Sequence, residues 1–291
     1  MRKQFSLTVA DLAANDDRVV VILGDISVFL FNDFKEKFPG RFFNLGICEN
    51  AIISVAAGLS SQGFIPFVHT IAPFFIERSY EHLKLDACYN QFPMNIVTCG
   101  ASFDYAWDGP THHCYGDLAT LRLLPGMQVT QPGSPKEIDA LIRSQYDNGK
   151  SNYFRLSDTQ HGLDMPVEFG KALILQDKNS EVTIMTAGPI VANVLEACRD
   201  LNVNIAYFST IKPIDKAVID RFRNTRILVV HDAFGFYEAI CETPNLNLTY
   251  HGLPSDTFLN SYGTVPQIRK LIGLDSEGIR NAALRALNGK P

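Results

Sequence analysis

Two adjacent histidines, a thiol, an indole and several carboxylates are gathered in FDYAWDGPTHHCYGD, residues 103–117, with a Gly-Pro pair in their midst. Such residues can bind a metal, attack a substrate or orient a ligand, and spacing separates the three. His112, His113 and Cys114 are consecutive. Consecutive side chains diverge on a strand or a helix, so one ion is not expected to collect all three, and no metal site is expected on this chain. A Gly-x-Ser-x-Gly nucleophile elbow is missing, because GASFD carries Asp104 at the second glycine. Cys114 beside His113 makes a poor Cys/His pair, since neighbours in sequence rarely face each other. Neither G-x-x-x-x-G-K-[ST] nor G-x-G-x-x-G occurs to cradle a phosphate. Ligand positioning is left. Gly109-Pro110 enforces a turn flanked by Asp108 and His112, which can aim both side chains at one small molecule. A carboxylate accepts from hydroxyls and a histidine moves a proton near neutral pH, a pairing suited to a sugar. The same turn also reads as an ordinary solvated loop, and loops are where such sites lie.

The 291 residues that must frame this turn suffice for about two domains. Hydrophobic residues make up 46% and charged residues 20%, enough for a packed core and unlike a disordered chain. The net charge of −5 argues against a nucleic-acid partner held by a basic surface. No membrane partner is expected either, because the apolar run Val19–Leu23 falls far short of the roughly 20 residues of a spanning helix. In MRKQFSLTVADLAAND, Leu7, Ala10 and Ala14 recur at helical spacing and Asp11 interrupts the apolar part. An amphipathic first helix is expected there rather than a secretory leader. The six cysteines include no CxxC pair and read as reduced thiols of a cytoplasmic protein.

Short apolar runs alternate with helix-like segments. Strands are expected at 18–24, 64–68, 94–100, MQVTQP and 152–156, with helices at 49–63, 72–89, 116–124 and SPKEIDALIRSQYD. The last opens with Ser134 as cap, Pro135 in the first turn and Glu137 at the capping-box position. A second alternating set follows a polar stretch, with strands in EVTIMTAG, NVNIAYFST and RILVVHD and helices in PIVANVLEACRDL and PIDKAVIDRF. The fold class is therefore α/β: two consecutive α/β domains, each with a mostly parallel sheet covered by helices, at 1–165 and 179–291 with a linker at 166–178.

Three ordered stretches carry a family resemblance. DGPTHH, followed by a helix and LLPGMQVTQPGSPKE, is similar to the pyrimidine-binding half of transketolases. FFNLGICENAIISVAAGLSSQGFIPFV resembles their segment with the catalytic glutamate, and FSTIKPID their third-domain signature. The family's Gly-Asp-Gly motif for a diphosphate and Mg²⁺ has no counterpart, since GDI at 24–26 lacks the second glycine. The chain thus resembles the C-terminal subunit of a split transketolase. That implies thiamine diphosphate and Mg²⁺ as cofactors, with the metal ligands on an N-terminal partner subunit. It also implies an α2β2 assembly, a second domain that supports dimerisation, and transfer of a two-carbon ketol unit between phosphorylated sugars.

Carried over position by position, the resemblance makes Glu49 the catalytic acid at the aminopyrimidine, where it promotes the imino form. Helix-start position and burial pull its charge in opposite directions. Phe74 matches the stacking aromatic best, with Phe75 as the second choice, while Ile71 and Glu77 stand where the family often has aromatics. Asp25 matches an acidic residue near the cofactor. His112 is implied at the reacting carbons, Asp108 at sugar hydroxyls and Arg155 at a substrate phosphate. His69 stands where glycine is usual and is expected to reach the site. Cys99-Gly100 replaces a His-Asp pair and Trp107 a small acidic neighbour, which points to a different sugar. His231 and Asp232 end a strand without a comparable catalytic set. Competing readings are a 2-oxo-acid dehydrogenase β subunit, a 1-deoxyxylulose-phosphate-synthase-like enzyme and a non-catalytic scaffold with a degenerate site.

Overall fold

The computed structural model describes residues 1–289. Its strands are β1 (Val19–Leu23), β2 (Phe42–Asn44), β3 (Ile65–Ile71), β4 (Asn95–Cys99), β5 (Met127–Thr130), β6 (Ser151–Arg155), β7 (Ala172–Gln176), β8 (Val182–Ala187), β9 (Asn204–Phe208), β10 (Thr210–Lys212), β11 (Arg226–His231) and β12 (Asn247–Gly252). One sheet has the order β10-β5-β6-β4-β3-β1-β2 and the other β12-β11-β8-β9-β7. Every pairing is parallel except β10 on β5 and β7 on β9, both at sheet edges. The two-domain α/β architecture read from the sequence is the one observed.

Alternation along the first sheet builds its two cores. Val19, Val21 and Leu23 pack with Phe5, Val9 and Leu12 of the helix Arg2–Asn15 and with Ile138, Leu141 and Ile142 of the helix Pro135–Gln145. Ile22 and Val68 turn the other way, onto Ile52, Ile53 and Ala56 of the helix Glu49–Ser61. That second core runs on through Met185, Phe208 and Val229 of the second sheet, so the two domains share one apolar interior.

Several local expectations are corrected. The first helix forms, but it buries Phe5, Val9, Leu12 and Ala13, while Leu7 is 53% exposed. Apolar residues lie on both sides of this helix, and the aromatic side chose the buried face. The single helix expected over 72–89 is broken into Ala72–Ile76, Tyr80–His82 and a π-helical stretch Leu83–Tyr89. The break is held by the helix at Glu49, because the Ser79 hydroxyl donates to Asn50 Oδ1 at 3.0 Å and Arg78 reaches Glu49. Ala172–Gln176, inside the segment read as linker, is strand β7 on β9. Ser134 caps its helix by accepting from the Glu137 amide, yet the Glu137 carboxylate bonds the Gly133 N–H, the His161 ring and the Tyr207 hydroxyl instead of closing the box. Glu137 thereby ties the helix to the second domain.

Candidate functional site

The site lies beyond the carboxyl ends of β2, β3 and β4, where parallel α/β sheets leave a crevice. Glu49 opens the helix Glu49–Ser61 and is 2% exposed. Unpaired amides and the helix dipole favour a carboxylate at such a position. Arg78 Nη1 donates to Glu49 Oε2 at 2.8 Å, which gives the buried acid a counter-charge. The Arg78 guanidinium carbon also lies 4.8 Å from the centre of the Phe74 ring. Phe74 also meets His112 edge-on, with ring centres 5.0 Å apart. Three segments distant in sequence thus meet at Glu49, Arg78, Phe74 and His112.

His112 is carried by a loop pinned at its base. Ser102 and Cys114 form an antiparallel bridge, with backbone bonds of 2.8 and 2.7 Å. Buried Arg155 donates across that bridge, to Ser102 Oγ at 3.2 Å and to the Cys114 carbonyl at 2.7 Å, while its Nε bonds Asp117 Oδ2 at 2.7 Å. Gly109 has a φ of +71° and lies against the Tyr262 ring, so a side chain here would be strained and would collide with that ring. Gly100, at φ +81°, is backed by Tyr105 in the same way. The Tyr105 hydroxyl donates to Cys99 Sγ at 3.4 Å, and its ring stands 6.3 Å from that of His112. Tyr105 therefore fills the space beside Cys99-Gly100. His112 bonds Thr111 Oγ1 through Nδ1 at 2.9 Å, which leaves Nε2 for a ligand. His113 diverges toward Tyr115 and is buried with both ring nitrogens unpartnered. Asp108 and Trp107 are exposed on the turn.

Not every expected residue joins this group. His69 is fully buried behind the sheet: Nδ1–H donates to the Val97 carbonyl at 2.7 Å and Nε2 accepts from Ser27 at 3.0 Å. Burial pushes its imidazole down to about 4, so it stays neutral, and both ring nitrogens are taken by partners inside the protein. Arg155 offers no group to a substrate phosphate, since its side chain has no exposure and its donors are spent on Asp117, Ser102 and Cys114. It positions the loop instead. Phe75 is core, with no exposure, which leaves half-buried Phe74 as the available ring. Ile71 is half-buried where β3 passes into the following helix. Glu77 neighbours Asp117 and Tyr115; partial desolvation and then the Asp117 charge raise its carboxyl. Asp25 sits in an exposed turn at φ +62°, exchanging hydrogen bonds with Asn44. His231 and Asp232 bond Gln131 and Ser102 and serve as inter-domain contacts. Sequence reasoning missed Arg78 and Tyr105. Arg78 follows Phe74 by four residues, a helical spacing that could have pointed to it; nothing local marked Tyr105.

A flat aminopyrimidine needs an aromatic face to stack on and a carboxyl at its edge. Phe74 offers an aromatic face and Glu49 a carboxyl, and a planar guanidinium lies on the one while bonding the other. Residues 1–160 match the family model "Transketolase, pyrimidine binding domain", and residues 170–279 match "Transketolase, C-terminal domain". The chain belongs to the transketolase family. It is 30% identical over 304 residues to one of the subunits of an apulose-4-phosphate transketolase from Phocaeicola vulgatus, covering 97% of this chain and 96% of that one. It is also 30% identical to a 1-deoxy-D-xylulose-5-phosphate synthase of Syntrophus aciditrophicus, but spans only 46% of it. Among solved structures, "Split gene transketolase, inactive beta4 tetramer" superposes with a TM-score of 0.87 at 27% identity, covering 100% of this chain and 99% of that one. The family is thiamine diphosphate dependent, and a transketolase β subunit implies an α partner. Among the described residues no group of three His, Cys, Asp or Glu is placed to share a metal, and no helix is long and apolar enough to cross a membrane.

The site loop also carries a half-buried acid outside the transketolase motifs. Asp104 accepts from Ser157 Oγ at 2.7 Å and from the Asp158 N–H at 2.9 Å. Burial nevertheless raises its carboxyl to about 7. The folded chain then holds this proton more tightly than the unfolded one, so the associated stability is full below the ordinary value of 3.8 and is lost as pH rises through about 7. Asp104→Asn lacks this loss. Its melting temperature relative to wild type is expected to climb between about pH 4 and about pH 7 and to level off above, as scanning calorimetry would record; a constant difference would contradict the assignment.

Proposed function

We propose that this chain is the C-terminal subunit of a two-chain transketolase. It moves a two-carbon ketol unit between a ketose and an aldose, with phosphorylated sugars as substrates. One observation carries the reading: Glu49, Phe74 and His112, from three separate segments, are drawn together around Arg78, with the carboxyl, the aromatic face and the imidazole within contact distance of one another's neighbours. Exposed apolar side chains flank this group in sequence, with Ile47 at 74% and Leu45 at 38% before Glu49 and Trp107 at 71% before the Gly-Pro turn. Such surface favours cover by another chain. That chain is the diphosphate-binding subunit, to which the Mg²⁺ ligands are assigned, in an α2β2 assembly. The cytoplasm is the matching compartment for six free thiols.

When bound, thiamine diphosphate supplies the nucleophilic carbon of the reaction. The chain's own groups orient it and move protons. With the cofactor bound, Phe74 would hold its pyrimidine ring and Glu49 would supply and take up a proton at that ring's edge. His112, free at Nε2, transfers a proton at a substrate oxygen, and Asp108 accepts from sugar hydroxyls. Neither His69 nor Arg155 takes part. The name of the 30%-identical Phocaeicola relative makes apulose 4-phosphate the first substrate to assay. The scaffold reading is disfavoured because three separate segments converge at Glu49, Phe74 and His112. A 2-oxo-acid dehydrogenase β subunit is disfavoured because the Phocaeicola and Syntrophus relatives are named for a sugar phosphate, one as a transketolase and one as a synthase.

The test is reconstitution. The chain alone is expected to show no ketol transfer, and mixing it with a transketolase N-terminal subunit should create ketose cleavage without pyruvate decarboxylation. Turnover by the chain alone, or decarboxylation by the mixture, would overturn the proposal.

A further inference from the structure

Arg78 stands at the break in the helix expected over 72–89, and its guanidinium makes two contacts at once. It donates to Glu49 Oε2 at 2.8 Å and lies over the Phe74 ring at 4.8 Å. A guanidinium is planar, delocalised and rich in edge donors, and it stacks on aromatic faces. Those are also the demands placed on an aminopyrimidine by the proposed function, on which this inference rests. Two flat groups cannot share the gap between one carboxylate and one aromatic face.

We propose that Arg78 is a resident stand-in for the pyrimidine ring: it occupies the Glu49–Phe74 gap in the unloaded chain and swings out when the cofactor arrives. The structure supplies both halves of such a device. Glu49 is 2% exposed and Arg78 donates to its Oε2, so without Arg78 the unloaded chain would leave a buried carboxyl oxygen lacking this partner. Departure is easy because the Arg78 side chain is already 50% exposed and has a single hydrogen-bond partner. The backbone need not follow, since Ser79 remains tied to Asn50. The displaced guanidinium stays at the mouth of the site, where it can meet an anionic substrate group. The cofactor therefore competes with an internal group, and its apparent affinity is lowered by the fraction of molecules in which the gap is closed.

The experiment is calorimetric titration of thiamine diphosphate with Mg²⁺ into the two-chain complex, and of 4-amino-5-hydroxymethyl-2-methylpyrimidine into the isolated chain. Arg78→Met and Arg78→Ala are compared with wild type, with circular dichroism melts to verify folding. Both variants are expected to bind both probes about three- to tenfold more tightly, as removal of a competing closed state requires. Arg78→Lys keeps the charge without the flat stacking group and should fall between wild type and Arg78→Met. Unchanged or weaker binding by folded Arg78→Met and Arg78→Ala would overturn the proposal. Glu49→Gln and Phe74→Ala separate the two levels. If they weaken binding while the Arg78 variants do so too, only the stand-in falls. If they leave binding unchanged, the pyrimidine-site reading falls with it.

Discussion

Glu49→Gln in the assembled two-chain enzyme is expected to lower kcat by about 10²- to 10⁴-fold, the range that a positioned acid–base group contributes. The amide is nearly isosteric and can still meet Arg78, so the fold and the assembly should survive. What it cannot do is take up and release a proton. The loss should appear in kcat more than in KM for the sugar, because Glu49 is assigned to the cofactor rather than the substrate. Steady-state assay of the purified complex, with its assembly verified by gel filtration, makes the measurement. A wild-type rate would remove Glu49 from the reaction.

Arg155→Met is expected to destabilise the chain by about 3–5 kcal/mol, the usual consequence of leaving one partner of a buried ion pair alone. The environment leaves little room for relief. Asp117 Oδ2 accepts from Arg155 Nε and from the Tyr153 hydroxyl at 2.5 Å, and its other oxygen has no partner. Beyond Ser102 lies Asp232, which pairs with Arg269 at 3.6 Å, so the network spans both domains. Adding Asp117→Leu to Arg155→Met should restore a substantial part of the loss by removing the stranded charge. Urea denaturation of the three proteins tests this. A single variant within about 1 kcal/mol of wild type would show that the network does not hold the loop.

The frame was legible because its signals are periodic. Val19–Leu23 and Asn95–Cys99 are short apolar runs bounded by breakers, and buried parallel strands look like that. Edge strands were not legible: β7 and β10 pair along one side, carry weak patterns and owe their existence to a neighbour. At the candidate site, Glu49, Phe74 and His112 were singled out because they sit in motifs tied to one chemistry, and the fold does bring them together. Arg155 and His69 were misplaced for a physical reason. Sequence shows that an arginine ends a strand or that a histidine replaces a glycine, but not which acceptors the fold brings to them. Asp117 and Ser102 lie 38 and 53 residues from Arg155, and Ser27 lies 42 from His69. Arg78 escaped notice because its importance arises from the helix break that carries it to Glu49.

Assigning the pyrimidine half of a cofactor site to this chain, and its completion to another chain, makes binding depend on both. Thiamine diphosphate and Mg²⁺ titrated calorimetrically into the wild-type complex, the Glu49→Ala complex and the chain alone put that dependence to the test. Clear binding heat is expected for the wild-type complex, at least about tenfold weaker binding for the variant complex, and for the lone chain only the much weaker binding that the pyrimidine half alone supports. Equal affinity in both complexes, or full-strength binding by the chain alone, would contradict the assignment.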